Sequence, residues 1–259
     1  MSAADAWPGE RLIKAEQCTL IWSEPLRGGG REVVKMYRRR PLADPIRRWF
    51  VPYRVEREFH LLELLFEGGV PCPEPLWWSH GRSPQHGRHE HLATREIAGT
   101  IPLVHWLRGQ GPGARPDLSP VFRIARRMHE CGISHGAFYP TNILAAPRRS
   151  PVGFFVIDMA HGCRFPQSIV GTLPAAYDLL DMLRGISRRH PIDDCERWIS
   201  GYGLSAADRQ RLLARLPDHH LERPWRHWRR AATDARAVWQ RLLRPDASAD
   251  ASRGSAGAP

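Results

Sequence analysis

The sequence predicts an α+β fold of two lobes, a small one built on an antiparallel sheet and a larger helical one, with a cleft where they meet. Three observations predict it. Strand and hairpin patterns crowd into residues 1–97, and helical periodicity dominates residues 98–245. The chain, 259 residues with 42% hydrophobic content and ten Trp, is long and apolar enough to build its core without disulfide staples. Residues 246–259 read as a disordered tail.

In chain order, "EQCTLIWS" and "EVVKMY" flank Gly28-Gly29-Gly30 and read as a hairpin, the glycines supplying a permissive turn. "YRVEREFHLLELLFEGG" places Val55, Phe59, Leu62, Leu65 and Phe66 on one helical face and stops at Gly68-Gly69. Two further strands follow, separated by the polar turn "HGRSPQHGR", so the small lobe amounts to about four strands and one helix. Ser119-Pro120 is expected to cap a helix carrying Val121, Ile124, Ala125 and Met128 inward and ending at Gly132. "VGFFVID" is a strand, and "AAYDLLDMLRGI", "PIDDCERWISGY", "SAADRQRLLARL" and "PWRHWRRAATDARAVWQRLL" are helices. In the last of these the Trp residues are expected to pack the helix onto its lobe while the arginines face water.

Composition narrows the function classes. Five scattered cysteines without a CxxC pair fit a reduced interior. No apolar run suits a signal peptide or a membrane span, so a cytoplasmic protein is expected. The net charge of +11 suggests an anionic partner, although an Arg-rich coding bias would produce the same excess. Lys35 to Arg54, "KMYRRRPLADPIRRWFVPYR", interleaves basic and aromatic residues; it reads as a docking segment for an anionic membrane surface or as an ordinary solvated loop. His80, His86, His89 and His91 match no zinc spacing and read as a surface loop. No nucleic-acid recognition module is present, and no nucleic-acid partner is expected.

The pattern with most chemical content lies in the middle of the chain. A helix ends in "MHECGI", His135 follows, Asn142 comes seven residues later, and a buried strand ends at Asp158. That is the order of a protein-kinase catalytic loop and its metal-binding Asp. Upstream, Lys35 on a strand and Glu58 on the next helix suit the ion pair that aims a lysine at nucleotide phosphates, a surface salt bridge being the plainer alternative. Asn142 and Asp158 offer hard oxygen donors of the kind Mg²⁺ takes.

On "VVKMYRRR", "EREFHLLELLFEGGVPCPEPL", "TREIAGTIPL", "MHECGISHGAFYPTNIL" and "FFVIDMAHGCRF", the chain resembles the Kdo/WaaP lipopolysaccharide kinases, a branch of the protein-kinase-like fold. The resemblance implies an ATP- and Mg²⁺-dependent kinase acting on an inner-core sugar hydroxyl of lipopolysaccharide at the cytoplasmic face of the inner membrane. It also implies that Lys35 contacts phosphate, that Glu58 aims it, and that Glu96, Ile97 and Ala98 form the adenine-binding hinge. Asn142 and Asp158 hold the metal, Asp178 braces the loop, and His135 packs it.

Two departures stand out. Ala137 occupies the position of the catalytic Asp, and a methyl group accepts no proton. The loop that covers the phosphates is expected near Trp7-Pro8-Gly9-Glu10, which leaves its first strand missing or poorly formed. Together they point to a pseudokinase or severely slowed kinase with a retained nucleotide and Mg²⁺ cleft, active in lipopolysaccharide core modification or envelope regulation. The alternative is a working kinase whose base has moved to His135, Tyr139 or a distant carboxylate.

Overall fold

The computed structural model describes residues 11–16, 18–38, 54–83, 87–110, 116–147, 152–188 and 190–216. All of them belong to the compact unit Met1–Pro217; the remaining unit, Asp218–Pro259, holds the expected last helix and tail and lies outside the described residues. Among the described residues no helix is long and apolar enough to cross a membrane.

β1 (Arg11–Glu16), β2 (Thr19–Pro25), β3 (Arg31–Arg38), β4 (Pro75–Ser83) and β5 (Gly87–Arg95) form one antiparallel sheet in the order β1-β2-β3-β5-β4. The β2–β3 hairpin turns on Gly28, Gly29 and Gly30, all at positive φ, as their permissive backbone allows. β3 is central, with Lys35 opposite Ile21 on one side and Leu92 on the other. Helix α1 (Arg54–Glu67) packs beside the sheet, yet the face it buries is Val55, Glu58, Leu61, Leu62 and Leu65. Phe66, expected on that face, is 48% exposed, and Phe59 is only partly covered. A carboxylate has taken an apolar position because β3 supplies its partners.

The strand count also differs from expectation. A first strand is present, but at Arg11–Glu16, after Trp7–Glu10 and not before it. Its connection to β2 is two residues long, since Glu16 already pairs with Thr19. The expected phosphate-covering loop, Trp7–Glu10, lies outside the described residues.

The helical lobe begins with β6 (Ile101–Pro102) and α2 (Leu103–Arg108), then α3 (Ser119–Glu130) and β7 (Ile133–Ser134). Ser119 is the first residue of α3 and not its cap; the Asp117 carboxylate accepts its N–H at 2.9 Å. The inward face of α3 holds Val121, Ile124, Ala125 and Met128 with Phe122 and His129. β8 (Ile143–Ala146) lies between β6 and β9 (Gly153–Val156) in a three-stranded antiparallel sheet, and β10 (Cys163–Arg164) pairs with β7. α4 (Leu173–Ser187), α5 (Ile192–Ile199) and α6 (Ala206–Ala214) follow, the last capped by the Ser205 hydroxyl, which accepts the Asp208 N–H. Phe122, Met128, Ile133, Phe138, Ile143 and Trp198 are fully buried and form the centre of this lobe.

Candidate functional site

Strand alternation sends Lys35 and Tyr37 to the same side of β3, towards α1. There the Lys35 ammonium donates to Glu58 Oε1 at 3.3 Å, and the Tyr37 hydroxyl donates to Glu58 Oε2 at 3.0 Å. Both oxygens of a 1%-exposed carboxylate are therefore engaged. Lys35 reaches across to Asp158 Oδ1 as well, at 2.6 Å. Burial opposes the charged ammonium, but the attraction of Glu58, Tyr37 and Asp158 outweighs it and carries the lysine pKa upward. Asp158 shifts the other way: burial raises its pKa, and the Lys35 charge and hydrogen bond pull it below the ordinary carboxylate value. Lys35 thus stays protonated and Asp158 ionised at neutral pH. This is a desolvated ion pair, with Lys35 only 15% exposed, and not the surface salt bridge considered above.

Asp158 has φ 64° and ψ 59°, the left-handed region, and among the described residues no other non-glycine residue has positive φ. That twist follows β9 directly and turns the carboxylate towards Lys35. Its side chain is 36% exposed, so one face of the group is open to a ligand. Asn142 lies at the same end of the β8–β9 ladder, because Ile143 pairs with Val156 and the Ile157 N–H donates to the Asn142 carbonyl at 3.0 Å. The Asn142 amide nitrogen is spent on the Ala137 carbonyl at 2.9 Å, which leaves its side-chain oxygen as the atom it can offer to a cation. An ionised carboxylate and an amide oxygen at one ladder end fit a Mg²⁺ ion that takes its other ligands from phosphate and water. Among the described residues no cluster of three His, Cys, Asp or Glu side chains could hold a metal alone.

The loop between β7 and β8 is shaped by its main chain. The carbonyl of Ala137 accepts both the Asn142 side chain and the Tyr139 N–H, the latter at 2.8 Å. Asp178 on α4, 1% exposed, accepts from the His135 N–H (2.7 Å), the Gly136 N–H (2.8 Å), the Ser134 hydroxyl (2.9 Å) and His129 Nε2 (3.2 Å). Burial disfavours its charge, yet the His129 hydrogen bond and the other donors hold its pKa below the usual value. Gly136 has φ 69°, and a Cβ there would stand 2.4 Å from the His161 carbonyl oxygen. Ala137 itself is 8% exposed and presents a methyl group from this loop. His135 is fully buried with Nε2 at 2.9 Å from the Ile157 carbonyl; that nitrogen carries the proton, and Nδ1 is sealed from solvent, so the ring is placed to pack and not to accept a substrate proton.

The expected hinge directs much of its polarity inward. The Glu96 side chain is gripped by Arg11 (2.8 Å), Arg31 (3.3 Å) and the Ser23 hydroxyl, and its N–H donates to the Arg31 carbonyl at 2.8 Å. The Ile97 carbonyl accepts the Thr100 hydroxyl, and Ala98 is exposed. In the basic-aromatic stretch, Lys35 and Tyr37 are spent within the fold, and residues 39–53 lie outside the described residues. Arg54 lies over the Tyr37 ring at 4.2 Å.

Sequence reasoning missed Tyr37, although its spacing of two from Lys35 was a usable signal. It also missed Arg57, whose guanidinium donates to the Ala160 carbonyl at 2.7 Å and ties α1 to the segment after Asp158. The bond between His129 Nδ1 and the Tyr202 hydroxyl, 2.7 Å long, joins residues too far apart in sequence for any local pattern.

A family model described as "Lipopolysaccharide kinase (Kdo/WaaP) family" matches residues 15–202. Among solved structures, one described as "WaaP in complex with acyl carrier protein" is similar at TM-score 0.58 and 18% identity, over 81% of this chain and 86% of that one. Two Rio2 kinase structures from Chaetomium thermophilum, one with ADP, Mg²⁺ and phosphoaspartate, give TM-scores of 0.46 and 0.47 at 19% identity. They match over 88% of this chain and 70% and 72% of theirs. No curated protein matches the chain.

Proposed function

The chain belongs to the lipopolysaccharide kinase (Kdo/WaaP) family, and from that premise we propose that it is a nucleotide- and Mg²⁺-binding member in which phosphoryl transfer is severely slowed. The observation that carries this is the pairing of a complete Lys35–Glu58–Asp158 cluster with a methyl group at Ala137. Phosphoryl transfer depends mainly on positioning and charge neutralisation, so a site can retain binding after it has lost its base.

In this reading Lys35, held by Glu58 and braced by the Tyr37 hydroxyl, offers its ammonium to a phosphate. Asp158 and Asn142 offer the oxygen ligands. Mg²⁺, when bound, would neutralise phosphate charge. Glu96, Ile97 and Ala98 would meet the adenine, with the exposed Ala98 best placed for it. The acceptor class is a sugar hydroxyl of the lipopolysaccharide inner core, at a peripheral site on the inner membrane. Nothing at position 137 takes the proton of that hydroxyl, and His135 is too deeply buried to replace it. A general base typically contributes about 10²–10⁴ in rate.

The test is Mg²⁺-ATP binding by thermal shift on the full chain, with Asp158→Asn as control, alongside transfer of labelled γ-phosphate to purified lipopolysaccharide. The expected result is a Mg²⁺-dependent stabilisation that Asp158→Asn abolishes, with label transfer at or near background. Rapid transfer by the unmodified chain would overturn the reading in favour of a relocated base. No stabilisation at any nucleotide concentration would overturn it in favour of a cleft that binds nothing.

A further inference from the structure

Outside the cleft, a cavity of about 320 Å³ opens where the first turn of α4 meets the turn Ser200–Tyr202 and α6. That volume lies in the range of small-molecule sites, about 300–1,000 Å³. Its inner wall is apolar and well packed: Leu179, Tyr202 and Leu212 are 2%, 1% and 7% exposed. Leu173 stands at the mouth, 37% exposed. Two arginines and one carboxylate, Asp208, also line the cavity. Arg211 is paired with Asp208 at 3.3 Å, whereas Arg215 makes no ion pair among the described residues. α4 begins here without a side-chain cap, because the Thr172 hydroxyl donates to the Ile169 carbonyl, so the positive end of the helix adds to the field of the unpaired Arg215.

An apolar chamber with a net positive mouth is complementary to a molecule with one negative head and a short apolar body. One wall is also wired to the catalytic loop. The Tyr202 hydroxyl meets His129 Nδ1 at 2.7 Å, and His129 Nε2 meets Asp178 at 3.2 Å. Asp178 in turn holds the N–H groups of His135 and Gly136, the residues just before Ala137. Asp178 accepts, so His129 Nε2 donates to it, Nδ1 accepts, and the tyrosine donates to Nδ1. Tyr202 thus both lines the cavity and begins a chain of hydrogen bonds that ends at the loop. We propose that this cavity binds an anionic amphiphile, a carboxylate or phosphate head on a short apolar body, and that Tyr202 transmits its occupancy to the catalytic loop.

The test uses the full chain without nucleotide, so its outcome is independent of whether the cleft binds ATP. Decanoate, decyl phosphate and uncharged decanol are titrated by calorimetry below their micelle concentrations, and amide hydrogen exchange is followed at His135 and Gly136. One or both anions should bind saturably, and decanol more weakly by about tenfold or more, the worth of one charge-assisted hydrogen bond. Arg211 and Arg215 are both exposed, so the double variant Arg211→Glu/Arg215→Glu should fold normally and weaken anion binding by a similar factor. Binding should change exchange at Gly136 and His135; Tyr202→Phe should keep the binding and lose that response. Equal affinity for decanol, or binding unaffected by the double arginine variant, would overturn the site. Binding without a change in loop exchange, or the same change in Tyr202→Phe, would overturn the transmission.

Discussion

The two sides of the cleft have kept different things. The β3–α1 side retains its charged groups in contact: one ammonium, two carboxylates and a tyrosine hydroxyl within 3.3 Å of their partners. The loop side is ordered by its main chain and presents a methyl group at Ala137. The contrast teaches that the loop's conformation does not depend on the side chain at position 137. That conformation is written in main-chain hydrogen bonds, the Ala137 carbonyl accepting twice and Asp178 collecting two consecutive N–H groups. A side chain with no structural duty can be exchanged while its surroundings stay in order.

Placing a carboxylate at position 137 breaks the contrast most directly. Ala137→Asp should raise phosphate transfer by about 10²–10⁴ with little change in nucleotide binding, read as γ-phosphate incorporation at saturating Mg²⁺-ATP. An unchanged rate would mean that the loop side lacks more than its base.

Removing the brace should cost the fold itself. Asp178→Asn replaces an acceptor of four donors with a group that brings an N–H₂ among them, and should lower unfolding free energy by about 3 kcal/mol in denaturant titration. The same residue sets an acid limit. Its folded pKa is depressed, so its stabilisation is complete above the unfolded value of 3.8 and drains away as pH falls through the lower folded one. The unmodified chain should therefore lose stability more steeply than Asp178→Asn in that acid range. The smallest effect belongs to Tyr37→Phe, which removes one donor to Glu58 and should cost about 1–2 kcal/mol by thermal or chemical unfolding. Greater sensitivity to Tyr37→Phe than to Asp178→Asn would reverse the comparison between the two sides.

Much of this was legible in the residues. β-favouring residues and turn glycines located β2 and β3, and the spacing from His135 to Asn142 to Asp158 located the loop and the ladder end. The first strand was not legible because β1 has no inward face: all six residues are exposed at the sheet edge, so "RLIKAE" carries no alternation to detect. α2 escaped notice because six residues after Pro102, with no side-chain cap, leave no helical signature. The face of α1 was misassigned at Phe66 because periodicity arguments sort apolar from polar residues, and Glu58 is buried by virtue of Lys35 and Tyr37 on another element. The Tyr202–His129 bond shows the same limit across 73 residues.

Glycine at position 185 has a consequence for how this chain can change over generations. On α4 it lies two turns from Asp178, on the same face, and a Cβ there would come within 2.4 Å of the Pro140 ring. One helix thus clasps the loop at both ends, by charge near its start and by bareness near its finish. Both residues are kept in place by the stability of the fold, whatever happens at Ala137. The shape of the loop is therefore inherited intact by every descendant that merely stays folded, whichever side chain position 137 carries.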